Sequence, residues 1–217
     1  MKKRNLVLFF IGMSFVFYNC SMDDNSMKDK DGTSYKTIKI GDQIWMAENL
    51  DYYTPNGSWS YNDKPENSER FGRLYTWETA CTVCPDGWHL PSDEEWDQLI
   101  IFLINNGNNS DGKSKDNKIA ISLASTTEWK ASSDTASVGY NLSVNNSSGF
   151  TALPGGYRYY DGSFYNLGNM GIWWSSSKLP ISEEVYRNAY YINNKTVGKD
   201  FVSGYYGASV RCVKDSK

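Results

Sequence analysis

Histidine and cysteine, two residue types that often carry catalysis or metal binding, are scarce in this 217-residue chain, which has one His and four Cys. A single imidazole excludes His-rich metal sites and any mechanism that needs two histidines. An excess of positive charge is lacking too, because 22 basic and 25 acidic side chains leave a formal net charge of −3. This balance does not favour binding to nucleic acid, and we expect no nucleic-acid partner.

A hydrophobic run of membrane-spanning length is also lacking. The apolar stretch at 6–18 has thirteen residues, whereas a spanning helix needs about 20. It follows three basic residues at 2–4, an order typical of a secretory signal peptide. Cys20, directly after the stretch, resembles the cysteine of a bacterial lipobox, where the sulfur is lipidated and the chain is cut just before it. The sequence therefore predicts a lipoprotein signal peptide over 1–19 and lipidation at Cys20, with a plain signal peptide or a short anchor as the alternative.

The polar residues after Cys20 add to the predicted targeting signal. Ser-Met-Asp-Asp at 21–24 resembles the surface-export signal of Bacteroidota lipoproteins, and an ordinary polar linker is the alternative. Because no hydrophobic period is present, we predict a flexible tether over 20–34 and a single folded domain over 35–217. Loss of 1–19 shifts the formal charge from −3 to −6, so attachment to the outer membrane must come from the lipid anchor. We expect an outer-membrane lipoprotein that is exposed at the cell surface.

Three cysteines remain if Cys20 carries lipid, and the compartment would be oxidising. Cys81 and Cys84 have CxxC spacing, which suits a redox pair or, with Cys212 and His89, a zinc site. No thioredoxin-like βαβ pattern surrounds the pair. We favour a disulfide between Cys84 and Cys212 that ties the first helical region to the last strand and contributes about 4 kcal/mol in the chain-entropy model. Cys81 is then left over, or competes with Cys84 for the partner.

The secondary-structure signals are those of a strand-rich chain with few helices. Eighteen glycines and abundant Tyr, Trp, Ser and Asn are typical of a turn-rich fold. Alternating patterns predict hairpins at 35–46, 155–167 and 188–197 and a further strand at 171–177. The Asp-Gly pair in the second hairpin predicts a type I′ turn. The polar segment 51–70 predicts a long loop.

The clearest local signal predicts a helix over 93–104. Ser92 is a suitable N-cap, and Glu95 three residues later completes a capping box. The apolar side chains then recur on one face, at Trp96, Leu99, Ile100 and Leu103. The three acids at 93–95 suit helix capping and the helix dipole better than acid–base chemistry. The whole pattern predicts an α+β fold.

Several blocks of the sequence, in order over about 35–215, carry a family resemblance. They read IGDQIWMAENL at 40–50, CPDGWHLPSDEEW at 84–96, GFTALPGGYR at 149–158, YDGSF at 160–164, WWSSS at 173–177 and SVRCVKD at 209–215. Together they resemble the Fibrobacter succinogenes major paralogous domain. That resemblance implies a surface or secreted domain, frequent in Bacteroidota and related phyla.

The Leu-Pro-Ser-x-x-Glu-Trp block at 90–96 is also similar to the formylglycine-generating enzyme family. This implies a C-type-lectin-like fold, with few helices, short antiparallel strands, long loops and a disulfide near Cys212. The enzyme activity is not implied, because it needs two late cysteines that hold copper, and only Cys212 lies late. The sugar–calcium motifs of lectins are absent. The resemblance leaves room for a structural Ca²⁺ without naming its ligands; otherwise we expect no cofactor and no metal site.

These features predict a cell-surface lipoprotein with a non-catalytic binding or adhesion domain for a glycan or protein ligand. Tyrosine and tryptophan combine flat apolar faces with polar edges, which suits sugar rings and protein interfaces. The candidate contacts are Tyr159, Tyr160, Tyr165, Trp174, Tyr205 and Tyr206. Ordinary packing is the alternative for each of them. Trp173 and Trp174 are strand neighbours and face opposite ways, so we expect one in the core and the other exposed.

Two other functions stay open from the sequence. One is a structural or assembly subunit of a surface appendage, whose ligand is another copy of itself. The other, which we disfavour, is a copper-dependent enzyme of the formylglycine-generating type. Separately, Asp-Thr-Ala at 134–136 fits the short O-glycosylation pattern of Bacteroidota, which makes Thr135 a glycosylation candidate.

Overall fold

A computed structural model describes residues 26–112, 116–178, 186–193 and 195–216. The predicted signal peptide and Cys20 lie outside these ranges. The helices are α1 (Pro65–Phe71), α2 (Trp77–Val83), α3 (Asp93–Asn105) and α4 (Ala120–Leu123), with 3₁₀ turns at Tyr61–Asp63 and Leu142–Val144. The strands are β1 (Ser26–Lys28), β2 (Ser34–Ile40), β3 (Gln43–Met46), β4 (Ser58–Trp59), β5 (Leu74–Tyr75), β6 (Trp88–His89), β7 (Tyr157–Arg158), β8 (Phe164–Tyr165), β9 (Gly171–Lys178), β10 (Tyr186–Ile192), β11 (Val197–Ser203) and β12 (Val213–Lys214).

The fold is α+β, with antiparallel pairing between its strands, as the composition and patterning predicted. The largest sheet has the order β1-β2-β3-β12-β6, and a second sheet has the order β11-β10-β9. The last strand, β12, lies between β3 and β6, where Val213 pairs with Trp45 on one side and His89 on the other. The start and the end of the described chain therefore meet in one sheet. None of the helices in the described ranges has the length and apolar character needed to cross a bilayer.

The predicted tether is wrong for residues 26–34, which fold onto the domain. Strand β1 pairs antiparallel with β2, and Met27 is buried. The connection is held by Asp29, whose Oδ1 accepts hydrogen bonds from the backbone N–H groups of Asp31 and Thr33. Its Oδ2 accepts a hydrogen bond from the Tyr35 hydroxyl at 2.8 Å. One buried methionine and a polar turn give no hydrophobic period, so the sequence pattern did not reveal this strand.

Helix α3 confirms the capping-box prediction. The Ser92 hydroxyl accepts a hydrogen bond from the Glu95 N–H at 3.2 Å, and the Glu95 carboxylate accepts one from the Ser92 N–H at 2.8 Å. Trp96, Leu99 and Leu103 are buried, so the predicted face is the one that packs. The helix ends at Asn105, one residue later than predicted.

The three predicted hairpins form, as β2–β3, β7–β8 and β10–β11. The type I′ turn in the second is wrong, because Gly162 has a φ of +96° whereas Asp161 is not in the positive-φ region. Instead the Gly162 N–H donates to the Tyr159 carbonyl at 3.1 Å, and Asp161 Oδ1 accepts from the Ser163 N–H at 2.9 Å. The aspartate side chain thus stabilises a longer loop.

The long loop predicted at 51–70 is also corrected, since it contains β4, a 3₁₀ turn and most of α1. Pro65 occupies the start of α1, a position where its missing N–H costs nothing. Ser68 and Phe71 are the buried residues of this helix. Two buried positions in seven residues are too few to produce a recognisable helical period.

Two hydrophobic clusters form the core, and β9 passes between them. Trp173 packs into the first cluster, with Trp45, Trp96 and Phe150. Trp174 packs into the second. The two side chains face opposite ways as expected, yet both are buried, with exposed fractions of 1% and 0%. The prediction that one of them is exposed is therefore wrong, because both faces of this strand are covered.

The predicted disulfide between Cys84 and Cys212 is confirmed, with an S–S distance of 2.06 Å. Cys84 is the C-cap of α2, and Cys212 directly precedes β12. Because the Cys84 sulfur is used here, the redox-pair and zinc interpretations of the CxxC spacing are wrong. Cys81 lies on α2, is exposed and takes no part in this disulfide.

Candidate ligand-binding cleft

Five tyrosine rings contact one another on the surface and form what we call the tyrosine cluster. Its members are Tyr157, Tyr159, Tyr160, Tyr165 and Tyr206. The β7–β8 hairpin supplies the first four, and Tyr206 comes from the segment after β11. Two backbone hydrogen bonds between Arg158 and Gly207, of 2.9 and 2.8 Å, join these segments.

The rings of the tyrosine cluster are held in place by each other. Tyr157 and Tyr206 lie nearly parallel, with an interplanar angle of 4° and ring centroids 6.0 Å apart. Tyr159 lies 4.7 Å from Tyr206 and 4.2 Å from Tyr160, again between ring centroids. Mutual packing of this kind restricts side-chain rotation before any ligand arrives, which lowers the entropic cost of binding.

An open cleft of about 710 Å³ lies between the tyrosine cluster and the β10–β11 hairpin. On the hairpin side, Tyr191 pairs across the strands with Gly198, and Ala189 pairs with Asp200. A Cβ on Gly198 would lie 2.5 Å from Cζ of Tyr191, so the glycine allows the ring to lie against the strand. The residues that line the cleft are Tyr157, Tyr159, Tyr160, Asn166, Met170, Ile172, Ala189, Tyr191, Asn193, Asp200, Phe201, Val202, Ser203 and Tyr206.

The electrostatic character of the cleft is that of a neutral to acidic site. Asp200 supplies a carboxylate, and no Lys or Arg occurs among the described residues that line the cleft. Burial and a hydrogen bond with Tyr159 raise the pKa of Tyr206 above its ordinary value. A hydrogen bond with Tyr159 also raises the pKa of Tyr160. These phenols therefore stay protonated at neutral pH, where they can both donate and accept hydrogen bonds.

The structure brings three of the candidate contacts, Tyr159, Tyr160 and Tyr206, into the cleft wall. Tyr165 belongs to the tyrosine cluster and is 45% exposed, but it does not line the cleft. Tyr205 is 66% exposed and lies outside both the cluster and the cleft lining.

Trp174 is wrong as a ligand contact. It is fully buried, and its indole N–H donates a hydrogen bond to the Tyr75 carbonyl at 2.6 Å. Strand alternation placed it correctly opposite Trp173, but alternation does not tell whether a face is covered.

The sequence analysis named three of the fourteen lining residues, and the eleven that it missed include Tyr157, Tyr191, Asp200 and Phe201. Tyr157 lies in the predicted second hairpin, where alternation with Tyr159 was an available signal. Asp200 and Phe201 follow the predicted limit of the third hairpin, which ended at 197. The structure extends β11 to Ser203, and this extension carries the acidic wall of the cleft.

Away from the cleft, the lone histidine is held between two acids. His89 Nδ1 lies 2.6 Å from Asp215 Oδ1, and Nε2 lies 2.7 Å from Glu95 Oε1. Among the described residues, no three His, Cys, Asp or Glu side chains converge as a metal site would require. Thr135 is exposed, and the preceding Asp134 forms an ion pair with Lys195. Glycosylation of Thr135 stays a prediction.

One family match covers nearly all of the described chain. Residues 38–214 match the model of the Fibrobacter succinogenes major domain. The chain belongs to this family. The match includes the disulfide, the tyrosine cluster and the whole cleft lining, so the candidate site is part of the Fibrobacter succinogenes major domain and not an addition to it. No curated protein and no solved structure matches the chain.

Proposed function

We propose that this protein is a cell-surface lipoprotein whose domain binds a glycan or protein ligand at the tyrosine cleft and does not transform it. The observation that carries the proposal is the cleft itself. Its aromatic walls are arranged in advance, its volume of about 710 Å³ suits a small or extended ligand, and Asp200 supplies a polar anchor. Sites that combine apolar faces with a few polar groups are the usual form of a ligand pocket.

A C-type-lectin-like architecture is part of the proposal. Three features support it, namely the few helices, the junction of the two chain ends in one sheet, and the disulfide that closes next to β12. A determined structure of the domain, compared with C-type lectins, tests this part. A different strand order would contradict it.

The non-catalytic character of the domain rests on how its reactive side chains are used. Cys212, the one late cysteine in the sequence, is bonded to Cys84 and so is not one of a pair of copper-binding thiols. His89 is engaged by two carboxylates. Tight stoichiometric copper binding that disappears in Cys212→Ser would contradict this part.

A binding experiment tests the central claim. Glycan arrays and pull-downs from host and bacterial extracts are run with the wild-type chain and with the neighbouring variants Tyr206→Ala and Tyr205→Ala. We expect the wild-type chain to bind a ligand that Tyr206→Ala no longer binds and Tyr205→Ala still binds. Of these two residues, Tyr206 lines the cleft and Tyr205 does not. Thermal unfolding shows that each variant is folded. A ligand that neither substitution affects would place binding elsewhere.

A further inference from the structure

We propose that the tyrosine cleft takes neutral oligosaccharides, with sugar rings stacked on exposed tyrosine faces and sugar hydroxyls bound by Asp200 and the phenols. This inference rests on the proposed function, because it names the ligand class of the same cleft. It also distinguishes neutral from acidic glycans, which the binding function alone does not.

The stacking surface is Tyr160, at the outer end of the tyrosine cluster. Tyr160 is 61% exposed, and its ring packs against the ring of Tyr159, with the two ring centroids 4.2 Å apart. A pyranose ring has an apolar face of C–H groups and a polar rim of hydroxyls, which complements the face and the hydroxyl edge of a tyrosine. Support from Tyr159, which itself packs on Tyr206, keeps the exposed ring in position without a ligand.

The opposite wall supplies the hydrogen-bonding group. Asp200 lies opposite Ala189 in the β10–β11 pairing, so it shares a face with Tyr191, two residues from Ala189. One carboxylate oxygen accepts the Phe201 N–H at 2.7 Å. A carboxylate has about four acceptor positions, so Asp200 keeps the capacity to accept hydrogen bonds from ligand hydroxyls. Such bonds are charge-assisted and stronger than bonds between neutral groups.

Charge and shape make the competing ligand classes poorer matches to the cleft. An anionic sugar or a nucleic acid would face the Asp200 carboxylate with no Lys or Arg among the described lining residues to neutralise it. A purely apolar ligand would cover the phenol hydroxyls and the remaining acceptor positions of Asp200 without forming hydrogen bonds to them. A folded protein partner needs roughly 800 Å² of contact per side, for which a concave cleft between two hairpins is a poor match. A short neutral oligosaccharide satisfies both the aromatic faces and the acceptors.

The test is an array of matched neutral and acidic oligosaccharides, followed by calorimetric titration. The probes are tetraoses of glucose, mannose, xylose and galactose, set against oligogalacturonate and sialyllactose. The protein is the full chain, purified in a mild detergent that solubilises the proposed lipid anchor. We expect at least one neutral probe to bind and the acidic probes not to bind. We expect Tyr160→Ala to raise the dissociation constant of that probe by about tenfold, and Tyr205→Ala, an equally exposed tyrosine outside the cleft, to leave it unchanged.

Two further variants separate the roles of ring and charge. Tyr160→Phe keeps the stacking face and is expected to weaken binding less than Tyr160→Ala. Asp200→Asn removes the charge but keeps an acceptor, and is expected to weaken binding several-fold. Tighter binding of an acidic probe than of every neutral probe would overturn the inference.

The remaining outcomes distinguish this inference from the proposed function. If no saccharide binds but a protein ligand is captured and lost with Tyr206→Ala, the inference fails and the binding function stands. If neither a saccharide nor a protein depends on Tyr160, Asp200 or Tyr206 in folded variants, both proposals fail.

Discussion

Arg211 is a buried cation whose guanidinium pairs with no carboxylate among the residues that the structure describes, and it donates to carbonyl oxygens instead. Its Nε donates to Asn49 Oδ1 at 2.7 Å, and its other nitrogens donate to the carbonyls of Met46, Phe150 and Thr151. The guanidinium also lies over the Phe150 ring, 4.5 Å from its centroid. Burial lowers the pKa of Arg211 to about 9, which leaves it charged at neutral pH. This side chain therefore ties two distant segments, 46–49 and 150–151, to its own part of the chain.

We predict that Arg211→Lys lowers the free energy of unfolding by about 3 kcal/mol or more. A lysine ammonium cannot form the planar set of hydrogen bonds, so buried carbonyls lose their donors and a charge stays buried. Urea unfolding at pH 7 measures the loss. Arg70→Lys is the matched control, because Arg70 is exposed and pairs with Glu128, so its change stays below about 1 kcal/mol. Equal losses in the two variants would contradict the assigned role.

His89 makes stability depend on pH. Burial disfavours its charged ring, but hydrogen bonds to Asp215 and Glu95 outweigh this and raise the pKa of His89. Because the pKa of His89 is raised in the folded state, the stabilisation by the protonated ring is complete below the unfolded-state pKa of about 6.5. It is lost as the pH rises through the folded-state pKa.

We therefore predict that His89→Gln lowers the free energy of unfolding by about 1 kcal/mol at pH 5.5 and by less at pH 9. The figure is small because the histidine side chain is 40% exposed, so solvent screens the pairs. Urea unfolding across this pH range measures the difference. In an Asp215→Asn background the pH dependence of the effect is expected to shrink. An effect of His89→Gln that is equal at both pH values would refute the explanation.

At the scale of elements, Asp29 determines whether strand β1 stays docked. We predict that Asp29→Ala lowers the protection of the β1 amides from hydrogen exchange and costs about 2 kcal/mol, because three hydrogen bonds lose their acceptor. Hydrogen exchange at Met27 and Lys28, with limited trypsin digestion, is the measurement. Asp31→Ala serves as the control, since the residue is exposed and contributes its backbone N–H to the turn. Unchanged exchange in Asp29→Ala would mean that strand pairing alone holds β1.

The disulfide fixes helix α2 next to the last strand. We predict that the double variant Cys84→Ser/Cys212→Ser loses about 4 kcal/mol of stability, because the bond closes a loop between residues 128 positions apart and Cys212 is fully buried. Thermal and urea unfolding measure the loss. Cys81→Ser, on the exposed side of the same helix, is expected to change stability by less than about 0.5 kcal/mol. A comparable loss in Cys81→Ser would show that the disulfide is not the cause.

At the scale of the whole molecule, we propose that a lipid anchor at Cys20 determines where the cleft operates. We predict that Cys20→Ser removes the protein from the outer-membrane fraction and abolishes incorporation of labelled palmitate, while Cys81→Ser has neither effect. Fractionation of cells and labelling measure these outcomes. In wild-type cells, added protease is expected to digest the protein without lysis. Protection in intact cells would contradict surface exposure and limit the ligands to those of the cell interior.

Local sequence determined much of the fold. The Ser92–Glu95 capping box, the alternation in the three hairpins and the Cys84–Cys212 pairing each act over a few residues or through one covalent bond, and all were found in the structure. The family was likewise evident from blocks of sequence in order, and the match over 38–214 confirms it. Such features can be predicted from the sequence because short-range geometry and bond chemistry are sufficient to produce them.

Only the tertiary structure decided which aromatic side chains are available to a ligand. Trp174 and Tyr160 each end a pair of adjacent aromatic residues, yet Trp174 is buried in the second hydrophobic cluster and Tyr160 lines the cleft. The cleft itself needs the β7–β8 hairpin, the β10–β11 hairpin and Tyr206, which meet only after the chain folds. Burial depends on what packs against a residue from elsewhere in the chain, and no local pattern carries that information.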